Sequence, residues 1–268
     1  MTGILGAYRG DFGRVTYLDI TRPIATHAHP HIHMLFKISG ADRSMQVGNR
    51  AIGLHRSNWV LVNPWQRHFD IPEECEAPTQ MLALYIEKGW CRQRMEWPAF
   101  AGSDCAITAG MRIRVDLLAR MLGEGANVDG DWVEQMVSSI MREAARLALE
   151  DTSGHTAMDF RIRRALAALR VRTKGGPDFE AVARSVGMSR SRFFEQFRNS
   201  VGIAPNMYVD ALLIERAISL LGEDKPIDDI AETLGFSAQS SFTRFFKERV
   251  GFPPSSLRQA PQFTQIVQ

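Results

Sequence analysis

The sequence predicts a multidomain α and β chain. An N-terminal half of short strands forms a small β-barrel or sandwich, two helices follow, and an all-α C-terminal half carries a helix-turn-helix twice. Three observations predict this. Residues Val182 to Pro205 (VARSVGMSRSRFFEQFRNSVGIAP) reappear as Ile230 to Pro254 (IAETLGFSAQSSFTRFFKERVGFPP). Apolar residues at three and four spacing mark helices from Ile113 onward. Before them, short alternating runs are cut by turn residues every 8 to 12 positions or so, the spacing of an all-β unit.

At 268 residues and 45% apolar content, the chain is long enough for two domains with a core each. The start, MTGILGAYRGDFG, has no basic stretch leading into an apolar run, and no segment approaches the roughly 18 apolar residues of a membrane span. A cytoplasmic protein with no signal peptide is expected. Cys75, Cys91 and Cys105 are odd in number and lie far apart without a C-x-x-C pair, which fits reduced structural thiols.

Residues 1–105 form the predicted β unit. Met45 to Val47 and Trp59 to Val62 are its clearest runs, with Gly40, Gly48-Asn49 and Asn63-Pro64 as turns. Within it His27, His29, His31 and His33 alternate with Ala28, Pro30 and Ile32, so a strand there projects all four imidazoles from one face. Residues 106–150 hold two amphipathic helices, Ile113 to Leu122 and Trp132 to Leu149. Their apolar residues exceed the need of one barrel flank, which places Met136 and Ile140 at a subunit interface. Residues 151–158 (DTSGHTAM) break the periodicity and read as a linker.

Residues 159–260 carry the doubled motif, at about 179–198 and 227–249. In each copy an Ala (Ala183, Ala231) precedes by four residues a Gly (Gly187, Gly235) suited to a left-handed turn. Two residues later a Ser (Ser189, Ser237) is placed to N-cap a second helix. The offset between copies is 48 residues at Gly187/Gly235 and 49 at Phe193/Phe242, so the second copy has one extra residue near the start of its recognition helix. Between them Met207 to Leu221 reads as one helix. At about 1.5 Å per residue it spans roughly 25 Å, and packed helix ends bring the recognition helices near one DNA turn, about 34 Å, apart. Residues 159–268 hold 16 Lys and Arg against 12 Asp and Glu, the rest of the chain 16 against 18, so the basic half is the one patterned to meet phosphates.

From about Phe160 to Leu257 the chain resembles the DNA-binding module of AraC/XylS-type transcription regulators. Gly235-Phe236, Gln239-Ser240, Phe242-Thr243-Arg244, Phe246-Lys247 and Gly251-Phe252-Pro253-Pro254 all fall at that family's spacing. The resemblance implies that the N-terminal unit is a cupin-like β-barrel sensing a small-molecule effector, and that the two following helices are a dimerisation segment. It also implies a double-stranded DNA operator and RNA polymerase as partners of a homodimer.

By the same resemblance Gln239, Ser240, Ser241 and Arg244 correspond to the base-reading set, with Phe242, Phe245 and Phe246 turned inward. In the first copy the outward positions are Arg190, Ser191, Arg192, Phe194 and Glu195, with Phe193 and Phe197 inward. Gln pairs with adenine and Arg with guanine, while Phe meets a thymine methyl and Glu accepts from cytosine. Lys247, like Arg190, Arg192, Arg198 and Arg249, suits a phosphate or plain solvation.

The spacing His27-x-His29-x3-His33-x6-Gly40 resembles the first cupin metal motif, with His33 in place of the usual Glu. Pro64-Trp65-Gln66-Arg67-His68 sits where the second motif supplies its His, without the usual Gly. His27, His29, His33 and His68 are thus a set for a divalent metal such as Fe, Mn, Ni or Zn. With His31 they otherwise line a pocket for an organic acid or satisfy one another. The combined expectation is an effector-responsive regulator rather than an enzyme, the alternative being a metal-dependent cupin enzyme tethered to DNA.

Overall fold

The structure, a computed structural model, describes residues 3–72, 77–95, 104–125, 128–147, 159–170, 176–223 and 225–260. Strands β1 (Gly3–Gly10), β2 (Gly13–Ile20), β3 (Ile32–Gly40), β4 (Arg43–Val47), β5 (Arg50–Leu54), β6 (Asn58–Val62), β7 (His68–Asp70) and β8 (Thr79–Ile86) come first. Then follow a short α1 (Lys88–Arg94), β9 (Asp104–Ala106), α2 (Ala109–Gly123) and α3 (Gly130–Leu147). Antiparallel pairing makes one sheet in the order β1-β2-β8-β3-β6-β9 and a second in the order β5-β4-β7. Among the described residues these remain two separate ladders. The cupin-like unit is therefore an open two-sheet arrangement and not a single closed barrel.

Period-2 alternation explains why the central strands are apolar on both faces. Met34 and Phe36 of β3, with Leu82, Leu84 and Ile86 of β8, pack under α2 and α3 against Val115, Leu118, Val133 and Val137. The intervening Leu35, Met81 and Ala83 face the small sheet, where Met45, Val47, Ile52 and Leu54 meet them. Each of the larger side chains contributes about 1.5 to 3 kcal/mol by leaving water.

Ile140 belongs to the first of these cores, fully buried under the large sheet. The expectation that it forms a subunit interface with Met136 is corrected accordingly: the sheet already occupies that stripe of α3. Large apolar side chains left exposed are Ile113 and Leu117, one turn apart on α2, with Leu147 and Phe160. The expected linker, 151–158, lies outside the described residues.

The C-terminal part contains α4 (Phe160–Arg170), α5 (Phe179–Ser185), α6 (Arg190–Val201), α7 (Pro205–Leu221), α8 (Ile227–Thr233), α9 (Gln239–Val250) and α10 (Pro254–Arg258). The pairs α5–α6 and α8–α9 are the two helix-turn-helix units. Gly187 (φ 71°) and Gly235 (φ 79°) take the left-handed turns that a Cβ would disfavour. Ser189 caps α6 by accepting from the Arg192 N–H. Ser237 does not cap α9: Ala238 occupies the N-cap with no side-chain bond, so the extra residue of the second copy shifts the helix start past the serine. The connecting α7 has 17 residues and is roughly 25 Å long.

The two parts pack on each other. Ala217 and Leu221 of α7 and Phe242 and Phe246 of α9 belong to the same buried cluster as the inner faces of the two sheets. Arg9 on β1 donates to Ser219 on α7, and Trp65 meets Tyr208 at 4.4 Å between ring centroids.

Candidate functional site

The sequence reading placed residues 27–33 in one strand, but β3 begins only at Ile32. Pro23 and Pro30 have no N–H to give a ladder, so the segment between them stays irregular. It is nonetheless pinned beside β7. His27 and His68 exchange both backbone bonds at 3.0 Å, the Asp70 N–H donates to Ile24 O at 3.1 Å, and the Trp65 N–H donates to His29 O at 2.8 Å. Trp65 sits at φ 66°, a left-handed conformation rare for a side chain of its size, and this turn delivers His68 to the cluster.

The rings converge. Centroids of His27 and His68 lie 4.1 Å apart, those of His29 and His68 4.9 Å, and those of His29 and His33 4.7 Å. Ligand nitrogens of His27, His29 and His68 all fall within 4.8 Å of one another. His33, expected with them as a ligand, is held by its Nδ1 on Leu84 O at 3.1 Å and stacks on Tyr85 at 4.1 Å. His31 turns to carboxylates, with Nε2 2.9 Å from Glu87 and Nδ1 3.6 Å from Glu215. Burial, reinforced by the neighbouring rings, holds His29, His33 and His68 well below the ordinary imidazole range, and burial lowers His27 as well. That direction favours the uncharged ring in all four. Both ring nitrogens of His29 and Nε2 of His68 are buried without a protein partner. Such groups cost about 1 to 3 kcal/mol each when nothing satisfies them.

Beside the histidines runs a cross-strand row that sequence reading missed. Register sets Arg14 of β2 and His33 of β3 on either side of Tyr85 of β8. The Arg14 guanidinium lies 3.7 Å from the Tyr85 ring centroid and 2.8 Å from Glu215 of α7. These residues are scattered along the chain and form no motif. The available signal was Arg14 sharing a strand face with Thr16 and Leu18. Arg14, Tyr85 and Glu215, together with His27 and His29, wall a cavity of about 330 Å³ between the large sheet and α7. Ile214, Ile218 and Phe252 supply an apolar side to it. Arg14, Glu215 and the ion pair of Asp210 with Arg249 at 2.9 Å supply the charge.

On α9, Gln239, Ser240, Arg244 and Lys247 are exposed and Ser241 is half-buried, while Phe242 and Phe246 are fully buried. Phe245, expected inward, is only half-buried, packing on Phe236 with Arg249 over it. On α6, Arg190, Ser191, Arg192 and Glu195 are exposed, with Phe193 and Phe197 in the core. Phe194, expected outward, is half-buried, 5.4 Å from Phe179 and capped by Arg190. A hydrophobic ring at that position gains more from Phe179 than from water. The outer face of α9 also borders a groove of about 720 Å³ whose opposite wall is the segment Arg22, Pro23, Ile24 and Ala25.

Two helix-turn-helix units with exposed helix faces, joined to a β unit, define the class of fold, and comparison with known proteins agrees. A helix-turn-helix domain family matches residues 182–260. The probable transcription factor PqrA of Proteus vulgaris is 34% identical over 85 residues, covering 31% of this chain and 70% of that protein. The arabinose operon regulatory protein of Escherichia coli is 28% identical over 147 residues, 53% of this chain and 50% of that protein. The chain thus spans about half the length of that relative, and less of several others. ToxT of Vibrio cholerae, solved with an unsaturated fatty acid bound, superposes with a TM-score of 0.52 at 12% identity over 97% of this chain and 95% of its own, a likeness of fold. The chain belongs to the AraC/XylS family of helix-turn-helix transcription regulators. No helix among the described residues is long and apolar enough to cross a membrane.

Proposed function

We propose that this chain is a cytoplasmic transcription regulator that reads an operator in double-stranded DNA and responds to a small-molecule effector. Residues 1–105 act as the sensor, 106–150 carry the dimer contact, and 159–260 bind DNA through α6 and α9. Arg190, Ser191, Arg192 and Glu195 of α6 and Gln239, Ser240, Ser241 and Arg244 of α9 face base edges, and Lys247 meets a phosphate. Phe194 serves the internal packing of the first unit. The homodimer presents this surface to the operator and to RNA polymerase.

The observation that carries the effector part is the cavity of about 330 Å³ walled by both parts of the chain. A ligand there touches the sheet wall and α7 together, so its binding energy depends on how the parts are arranged. That differential affinity is what shifts a conformational population. The chemistry of the wall favours a small organic anion with an apolar body, its acid group at Arg14 and its body along Ile214 and Ile218. ToxT, similar in fold, is a protein whose structure contains a fatty acid, which is consistent with this class. The regulator names of the relatives support this reading over a tethered cupin enzyme.

A panel of carboxylic acids tested by thermal shift, followed by operator selection from random DNA with and without each hit, tests the proposal. Stabilisation by at least one acid, lost in Arg14→Met, together with a changed affinity for the selected operator, is the expected result. Selection that recovers no sequence refutes the regulator, and hits indifferent to Arg14 refute the pocket.

A further inference from the structure

We propose that His27, His29 and His68 bind one divalent transition-metal ion of the zinc type at the wall of the effector cavity. This rests on the cavity reading only for what occupies the remaining coordination position.

The tautomers are set for it. His27 Nδ1 lies 2.8 Å from Ala25 O and His68 Nδ1 2.9 Å from Gln66 O. A carbonyl only accepts, so each Nδ1 carries the hydrogen and each Nε2 is left with a bare lone pair. Donation of one ring N–H to a backbone carbonyl is the usual support behind a metal-bound histidine, fixing both tautomer and ring direction. On His68 that Nε2 is buried and has no protein partner. His29, 5% exposed, has no partner on either ring nitrogen, although a neutral imidazole has one donor and one acceptor to satisfy. If these rings were merely packed together, N–H to N bonds between them would satisfy these atoms. No such bond joins them among the described residues, and the nitrogens stand within 4.8 Å of one another instead.

Three neutral imidazoles suit zinc, cobalt, nickel or copper better than calcium or magnesium, which prefer oxygen. The backbone adds rigidity, since the His27–His68 bridge fixes two of the ligands relative to each other. Because three protein ligands leave a tetrahedral ion one position short, and His27 and His29 also wall the cavity, that position opens toward the effector. An ion bearing two positive charges there, beside Arg14, selects an anionic group as its fourth ligand.

The test uses the full chain, stripped of metal by chelator and then titrated with Co²⁺ or Zn²⁺ alone. One ion per chain is expected, with the strong visible absorption of tetrahedral Co²⁺. His29→Gln and His68→Gln should each weaken binding by at least tenfold, in line with loss of one ligand. His55→Gln, an exposed histidine paired with Asp42, should leave it unchanged. Should the variants unfold, zinc-edge X-ray absorption of the unmodified chain decides: three imidazole nitrogens at about 2.0 to 2.1 Å support the site. One or none overturns it, as does the absence of stoichiometric binding or binding indifferent to both variants. Since the measurement uses neither DNA nor effector, its failure leaves the regulator reading intact, and failed operator selection leaves the metal site intact.

Discussion

The Arg14 guanidinium on β2 lies 2.8 Å from the Glu215 carboxylate on α7, with their side chains 10% and 19% exposed, and so ties the sheet to the helix that connects the two helix-turn-helix units. A buried ion pair is weak evidence for stability as such, because desolvation opposes the Coulomb gain. Its consequence is conditional: each charge depends on the other being there.

That condition is testable by comparing single and double substitutions. Glu215→Leu leaves Arg14 buried without its carboxylate and should lower stability by about 3 kcal/mol. Arg14→Leu combined with Glu215→Leu removes both charges and should recover most of that loss. Chemical denaturation of the three proteins measures it. Equal losses in single and double variants would show that packing, not charge, holds β2 against α7.

Arg244 is exposed on α9, a little over one turn beyond Gln239 and Ser240. Arg244→Ala should weaken binding to the selected operator by about 1 to 3 kcal/mol and relax preference at a single base pair. Fluorescence anisotropy on the operator and on scrambled DNA separates the alternatives. An equal loss on both duplexes would mark Arg244 as a phosphate contact.

The double helix-turn-helix was legible because both of its determinants are local: glycines at left-handed turns and apolar spacing within a dozen residues. Even the one-residue offset between copies was visible, and it explains why Ser237 does not cap α9 as Ser189 caps α6. The histidine cluster was half legible. Alternation pointed to converging rings, but not to prolines keeping residues 27–31 out of the sheet, nor to Tyr85 drawing His33 aside. Arg14, Tyr85 and Glu215 were invisible, since strand register and the docking of α7 bring them together and neither is encoded in any short window. Ile140 shows the limit of periodicity: an apolar stripe announces burial without saying against what.

With Ile140 buried in the core, the dimer contact proposed for residues 106–150 falls to the outer face of α2. Ile113 is 67% exposed and Leu117 37%, one turn apart on α2, so together they form an apolar strip on the outside of the N-terminal part. Replacing both by Asp should give monomers by sedimentation at micromolar concentration, with thermal stability nearly unchanged, because neither side chain is in the core. Ile140→Asp should instead unfold the N-terminal part, since it places a charge in a dry core. A double variant that remains dimeric rules out α2 as the contact.

Cys91 supplies a separate check on the packing of α1 against the large sheet. The residue is 1% exposed, and burial pushes its thiol up to about 11. Only the thiolate attacks an alkylating agent, and at pH 8 a group titrating three units higher is ionised in roughly one molecule per thousand. Iodoacetamide at pH 8 should therefore leave Cys91 unmodified in the folded chain, while the same reagent in urea labels it fully. The sign with pH follows from the raised value: burial favours the neutral thiol, so this contribution to stability is complete below the unfolded thiol's pKa of about 8.5 and declines as pH rises toward 11. Peptide mapping by mass spectrometry reads Cys91 separately from Cys105, which is half-buried, and from Cys75, which lies outside the described residues. Rapid labelling of Cys91 at pH 8 without denaturant would mean that α1 leaves the sheet readily, and that the core beneath Trp90 and Phe12 opens with it.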